Sequence, residues 1–516
     1  MKQLYVCRID FNWRTLGYLL GGVLNYDNNI KISDDFSDFH GSFAIVQKEI
    51  DAVRLVSDRI ASIPLFYTVD EDEKKIYVSD DTELIRQYTH QKMDERRIRE
   101  YLCFSYTIGN ETLYANIYTA LPGEQVIIST KNGTIKRKRY FSLNFKLESK
   151  TDTPMSGYLQ EFDKILSKDV FPDMIERLKG HMAVIPISGG QDSKTIITLM
   201  KRLGYPKMVS FSYGKKSSPD VLGGKKVSKA LGIPWKHIEW DGAYFKKLLK
   251  SQEFVSLFPY SVLGCRSYMA LTYMAYKEMV ESGFIDKDAV IISGSALDFV
   301  AGGHIPNPKR DFFGRDELIE YIYRRHALRA NVKKPIIKHL TKQLNLKKNI
   351  FGFQDWCRIY CQWEYDNRQS KFIANEKRAA DILKLGFEMP FWDDRVVSFF
   401  LKLPVNMLYD RELQTVYSIE WIDREIGLKL TNPVSDTVEG QNEKLRSVVK
   451  KFFPFAINWY HILKQYKTYE LDGNGYIDYQ SKVKYLFNLV KYGPGYNLNA
   501  EFSAKYIEWK KKQENV

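Results

Sequence analysis

Cysteine is scarce in this chain. Five cysteines, Cys7, Cys103, Cys265, Cys357 and Cys361, are scattered over 516 residues and are odd in number. That excludes a disulfide framework as the basis of the fold. Cys357 and Cys361 are four apart and can share a helix face, but no second pair and no nearby histidine accompanies them, so they read as core thiols rather than a zinc site. No uninterrupted apolar run is long enough to cross a bilayer. Arg8 and Asp10 interrupt the early apolar run, so no signal-peptide core stands there, and a cytoplasmic location is the expectation. A phosphate loop of the form G-x-x-x-x-G-K-S/T is also missing.

Apolar and aromatic residues, by contrast, are plentiful. Their shares, 44% and 14%, indicate a globular chain without long disorder, and its length allows two or three domains. The formal charge of +14 suits an anionic partner such as a nucleotide, an acidic glycan, nucleic acid or a membrane surface. Part of it gathers late in the chain, at Lys444, Arg446, Lys450, Lys451, Lys464, Lys467 and Lys510 to Lys512, which reads as a solvated helix face. No RNA-binding signature accompanies the charge, which argues against a nucleic-acid partner.

One stretch carries most of the chemical information. An apolar β run, Met182 to Ile187, ends in Ser188-Gly189-Gly190-Gln191-Asp192-Ser193, and a helical pattern follows at once. A strand turning sharply into a helix leaves unpaired N–H groups that favour an anion. Paired glycines let the backbone approach a phosphate, and Ser188 and Ser193 add hydroxyl donors. Asp192 would repel a phosphate unless a cation, most simply Mg²⁺, lies between them. The string S-G-G-x-D-S in this context resembles the pyrophosphate loop of the N-type ATP pyrophosphatases.

Residues 1 to about 145 read as short alternating strands: Leu4–Ile9, Ser42–Val46, Val53–Val56, Leu65–Val69, Lys75–Val78 and Gln125–Ile128, with a turn at Asn132-Gly133. A polar stretch, 148–154, suits a linker. Strands are then predicted at 182–187, 207–212, 235–239 and 289–293, separated by helices at 192–203, 219–231 and 263–282. That order implies a parallel, doubly wound sheet with ligands at the strands' C-terminal ends. After about 310 the pattern is mostly helical.

A second strand end repeats the first. Val290 to Ile292 lead into Ser293-Gly294, with Asp298 a turn further on and Gly302-Gly303 following. Asp298 could complete a Mg²⁺ site with Asp192. Ser210-Phe-Ser-Tyr213-Gly214 ends the neighbouring strand, which in such folds commonly borders an adenine.

Together these residues resemble the asparagine synthetase superfamily. Gly41 to Ile45, Asp58-Arg59, Pro64 to Tyr67, Val78-Ser79, Thr112 to Tyr114, Leu121 to Gly123 and Arg139 to Phe141 resemble the later half of its amidotransferase domain. Ser188 to Ser193, Ser210 to Gly214, Lys225 to Pro234, Met389 to Asp393 and Leu403-Pro404 resemble its synthetase domain. The string from Ser293 to Pro306 is similar to members associated with surface-polysaccharide biosynthesis. The resemblance implies a degenerate, truncated, Ntn-hydrolase-like amidotransferase domain over 1–150. Over 151–516 it implies an adenine-nucleotide α-hydrolase-like doubly wound sheet with a helical C-terminal extension. It also implies an AMP- and pyrophosphate-forming amide ligase that uses ATP and Mg²⁺ to adenylate a carboxylate, small or glycan-linked, and couples it to ammonia or an amine. Ile187, Tyr213, Ser293 and Gly294 would hold the adenosine. Ser188, Gly189, Gly190, Asp192 and Ser193 would hold the phosphates, and Asp192 and Asp298 the metal.

The sequence departs from the family in both halves. Lys2 stands where glutamine-dependent members carry an N-terminal cysteine, Cys7 falls inside a strand, and the asparagine-glycine-glutamate loop that grips glutamine is absent. Ammonia or a substrate amine is therefore the expected nucleophile. Ser295 replaces a glutamate, Phe299 an acidic residue, and Glu388 lies near a missing arginine. The family's catalytic lysine has Lys444 and Lys429 as candidates. Three alternatives stay open: a nucleotide-binding regulator without catalysis, an ammonia-dependent asparagine synthase and an RNA-modifying enzyme with the same loop. A homodimer is one assembly left open. Glu470 to Ser481 resembles an EF-hand loop but lacks its first aspartate and last glutamate, so it reads as a turn between helices.

Overall fold

Alternation of apolar and polar residues in the first third folds as antiparallel strands, as expected. In the computed structural model the described residues are 7–10, 18–20, 36, 41–147, 153–307, 314–346, 352–431, 454–467 and 477–514. The strands of this part are β1 (Cys7–Asp10), β2 (Tyr18–Leu20), β3 (Ala44–Lys48), β4 (Ala52–Ser57), β5 (Phe66–Asp70), β6 (Lys75–Ser79), β7 (Tyr118–Thr119), β8 (Glu124–Ser129) and β9 (Ile135–Arg139). They form two sheets, ordered β1-β6-β5-β7 and β2-β3-β4-β8-β9. Val53, Leu55, Val126 and Ile128 from one sheet share a core with Tyr67, Ile76 and Val78 from the other. Gly133, at φ +70°, turns β8 back into β9. Two helices, Thr82–Thr89 and Glu95–Phe104, interrupt the strand run. Their Asp-capped starts, Asp81 and Asp94, are legible signals in a part that otherwise reads as mostly β.

The second part builds a parallel sheet. Its strands are β10 (Ala183–Pro186), β11 (Met208–Gly214), β12 (Trp235–Glu239), β13 (Val290–Ile292) and β14 (Gly386–Glu388), in the order β12-β11-β10-β13-β14. The apolar residues of β10, Ala183, Val184 and Ile185, are fully buried, as a central strand covered on both faces requires. The order reverses between β10 and β13, so a crevice opens at their C-terminal ends. The fifth strand lies in the region read as helical; three residues, Gly386–Glu388, are too few to show a period. The predicted helix over 263–282 starts later, at Ala270, and runs to Glu281.

Polar contacts dock the two parts. Arg59 pairs with Asp394, Arg139 with Asp366 at 2.6 Å, and the buried Arg266 donates to the Ala61 carbonyl at 2.6 Å. A π-helical turn, Tyr365–Ile373, supplies several of these groups: Asn367 accepts from the Gly109 N–H at 2.7 Å, and Lys371 donates to the Thr107 carbonyl at 2.6 Å. Asp58 fixes the loop beneath them. It is fully buried and accepts from the Phe43, Ile60 and Ser62 N–H groups at 2.9–3.2 Å.

Lys194, directly after the Ser-Gly-Gly loop, is fully buried on the helix Gln191–Arg202. Its ammonium pairs with Asp423 and donates to Thr431 Oγ1 at 2.6 Å. Asp423 also accepts from the Leu430 and Thr431 N–H groups at 3.1 and 2.7 Å. Replacing Asp423 by alanine leaves a buried charge alone, so urea unfolding should show a loss of about 3–5 kcal/mol. A loss below about 1 kcal/mol would mean that the pair is no anchor.

Candidate functional site

The crevice is a cavity of about 600 Å³. Ile187, Ser188, Gly190, Asp192 and Ser193 line it from the end of β10, Tyr213 from β11, and Ser293, Gly294 and Asp298 from beyond β13. Nine of the residues read from the sequence thus meet in one place. Gly189 faces the other way. A Cβ on Gly223 would lie 2.5 Å from the Gly189 Cα, so the helix Pro219–Leu231 abuts the loop backbone to backbone. A Cβ on Gly224 would lie 2.6 Å from the Ile187 carbonyl oxygen. The second loop presses on the first as well, since a Cβ on Gly294 would sit 3.1 Å from the Ser193 nitrogen.

The geometry favours an anion at the start of the helix Gln191–Arg202. Gly190 is its N-cap and offers no side chain to the first N–H groups. Within the loop the Gly190 N–H donates to Ser188 Oγ at 3.0 Å, and the Ser188 N–H to Ser193 Oγ at 3.2 Å. These bonds hold the turn open.

Two carboxylates face each other across the crevice. Burial and the charge of Asp298 push Asp192 up to about 7, against Arg411 and a hydrogen bond donated by Gln414. Asp298 takes the opposite course. Burial would raise it, but His304, with Nε2 3.5 Å from its Oδ2, holds it below the usual carboxylate range. His304 Nδ1 in turn meets the fully buried Glu364 at 2.5 Å. Burial would deprotonate this imidazole; the two flanking carboxylates raise it instead. A hard divalent ion suits such a pair, because Mg²⁺ commonly takes one or two carboxylates and completes its shell with phosphate oxygens and water. The orphaned, buried Oε1 of Gln414, beside Asp192, marks the same spot as short of polar partners.

Four side chains in or behind the cavity escaped the sequence reading. Arg411 is the only lysine or arginine lining the cavity among the described residues. It and Asp410 are consecutively left-handed, at φ +63° and +54°, and the absence of a Cβ on Gly303 makes room for its stem. Glu376 reaches the position of Ser295 from 81 residues away, accepting from Ser293 and Ser295 at 2.8 Å and from Tyr276 at 2.6 Å. His304 and Glu364 complete the set. Of these, only the Gly302-Gly303-His304 string offered a local signal. Glu388 is gripped by Arg177 through two bonds of 2.9 and 3.1 Å. Lys429 is exposed and absent from the cavity lining. Lys2 and Lys444 lie outside the described residues, as does most of the EF-hand-like stretch. Cys357 and Cys361 are buried core thiols with sulfurs 3.8 Å apart.

The family models agree with this layout. One described as Asparagine synthase matches residues 183–415, and one described as Glutamine amidotransferase domain matches residues 33–141. The chain belongs to the asparagine synthetase superfamily. A protein of Methanocaldococcus jannaschii, provisionally named glutamine-hydrolyzing asparagine synthetase 1, is 24% identical over 427 residues, 80% of this chain and 66% of its own length. The glutamine-hydrolyzing asparagine synthetase of Pongo abelii is 23% identical over 342 residues, 62% of this chain and 48% of its own. A 7-cyano-7-deazaguanine synthase of Polynucleobacter asymbioticus matches 64 residues at 38% identity, 12% of this chain and 26% of its own. The chain thus spans under two thirds of the length of these relatives. The solved glutamine phosphoribosylpyrophosphate amidotransferase of B. subtilis, in complex with ADP and GMP, shares 11% identity over 49% of this chain and 48% of its own, at a TM-score of 0.13, too low to bear on the fold.

Burial and the charge of Asp298 push Asp192 from 3.8 up to about 7, so between those values the folded protein binds this proton more tightly than the unfolded chain does. Without nucleotide or divalent ion, this group costs stability progressively as the pH rises from about 4 to about 7. Asp192→Asn should therefore melt higher than the parent protein, by a margin that grows across that interval and is level above it. A margin independent of pH contradicts the assignment.

Proposed function

We propose that this protein is an ATP-dependent amide ligase that adenylates a carboxylate, releases pyrophosphate and passes the acyl group to ammonia or an amine. The boundary near residue 150 between an amidotransferase-like and a synthetase domain belongs to the same reading. One observation carries it: an uncapped helix start and two opposed carboxylates share a cavity at the switch point of a parallel sheet. The first N–H groups of that helix, with Ser188 and Ser193, hold the phosphates. Ile187, Tyr213, Ser293 and Gly294 border the adenosine, and Gly189 gives the loop its backbone fit against Gly223. Asp192 and Asp298 would hold Mg²⁺, which would supply positive charge against the leaving pyrophosphate. Arg411 supplies a fixed positive charge in the same cavity, the role the family gives to a lysine.

Glutamine plays no part in this reading. Cys103, Cys265, Cys357 and Cys361 are buried, and Cys7 lies in β1 with its nitrogen in a peptide bond, so none offers a thiol with a free α-amine. A carboxylate borne by a sugar, free or in a glycan, fits the likeness of the second loop to polysaccharide-associated members.

The assay is pyrophosphate release from ATP and Mg²⁺ with candidate carboxylates, supplied with ammonium, amines or glutamine. Ammonium or an amine should support turnover and glutamine should add nothing. Asp192→Ala and Arg411→Met should each lose about a hundredfold or more. Tight ATP binding with no release under any substrate would favour a nucleotide-binding regulator, and full activity in Asp192→Ala would overturn the site.

A further inference from the structure

Large apolar side chains are exposed singly over most of this surface, except on two helices near the end of the described chain. Five of the nine exposed large hydrophobics among the described residues sit there: Tyr460 and Leu463 on Pro454–Lys467, and Val483, Phe487 and Val490 on Lys482–Tyr492. The spacing 483, 487, 490 places three of them in one stripe along a single helix face. Val483 is 79% exposed and Phe487 63%. The opposite faces of both helices meet in a small core, where Ile462, Tyr485 and Leu489 are buried together. The stripes therefore point away from the protein.

The charge carried by these two helices is of one sign. The two helices carry Lys464, Lys467, Lys482, Lys484 and Lys491 and no acidic residue. At helical spacing Lys484 and Lys491 flank the 483–487–490 stripe on one side and Lys482 on the other. Lys491 also lies over the Phe487 ring, 5.9 Å from its centre. We infer that this face docks on an anionic lipid surface, with the apolar stripes entering the headgroup–acyl boundary and the lysines meeting lipid phosphates. A second copy of the chain fits poorly, because apposing the face on itself would bring Lys464, Lys467, Lys484 and Lys491 of both copies together. A nucleic acid would leave Leu463, Val483 and Val490 without stacking partners.

The test is co-sedimentation of the full chain with vesicles of phosphatidylcholine alone or mixed with phosphatidylserine. Binding should need phosphatidylserine and weaken as salt rises. Lys484→Gln with Lys491→Gln should weaken it by ~fivefold per lysine. Phe487→Ser with Val483→Ser should abolish it, while circular dichroism and ATP binding stay those of the parent. Equal binding to both vesicle types, no binding to either, or indifference to the Phe487 and Val483 changes would overturn the inference. So would a concentration-dependent dimer that Phe487→Ser disperses, since the face would then be a self-interface.

Discussion

Two carboxylates that face one cavity repel each other, and the local structure is organised around keeping both there. Burial and the neighbouring Asp298 push Asp192 up, while His304, itself flanked by the buried Glu364, holds Asp298 below the usual carboxylate range. Arg411 and Gln414 bring a positive charge and an amide donor to the same point. Without a cation such a cluster costs stability, and in the proposed reading a divalent ion would relieve the repulsion.

The site also depends on backbones meeting without side chains between them. Gly189 against Gly223, Gly224 against the Ile187 carbonyl, and Gly294 against the Ser193 nitrogen are all contacts that a methyl group would break. Gly302 makes a similar contact with the Leu408 carbonyl, where a Cβ would lie 2.3 Å away. These contacts bring separate parts of the chain, near residues 190, 223, 294 and 408, to one crevice. The buried Lys194–Asp423 pair ties the same helix to a further segment. The amidotransferase-like part is joined through the π-helical turn Tyr365–Ile373, which meets Gly109 and Thr107 on one side while Phe372 and Ile373 line the cavity. A π turn of this kind places successive side chains on both sides of an interface that an α-helix would separate differently.

Much of this was legible before any coordinates. Strands that end in glycine and serine before a helical pattern placed β10, β11 and β13 and their tips, because periodicity and turn chemistry are local signals. What the sequence hid was assembled across distance. Arg411 looks like any surface arginine until Gly303 is seen to let it pass. Glu376 carries no motif, yet it fills the region of Ser295 from a remote helix. Glu364 sits in an aromatic helical run whose pattern suggests only core. Among the apolar residues of the helix Lys482–Tyr492, only the folded packing shows that Tyr485 and Leu489 are buried while Phe487 and Val490 are exposed.

The central claim is that one cavity at the tips of β10 and β13 receives a nucleoside triphosphate across Asp192 and Asp298. The most direct measurement is a structure of the protein with a non-hydrolysable ATP analogue and Mg²⁺. The account predicts terminal phosphates on the N–H groups of residues 190 to 193, the metal between the two aspartates and the adenine beside Tyr213. A nucleotide bound elsewhere, or a metal held by neither aspartate, would contradict it.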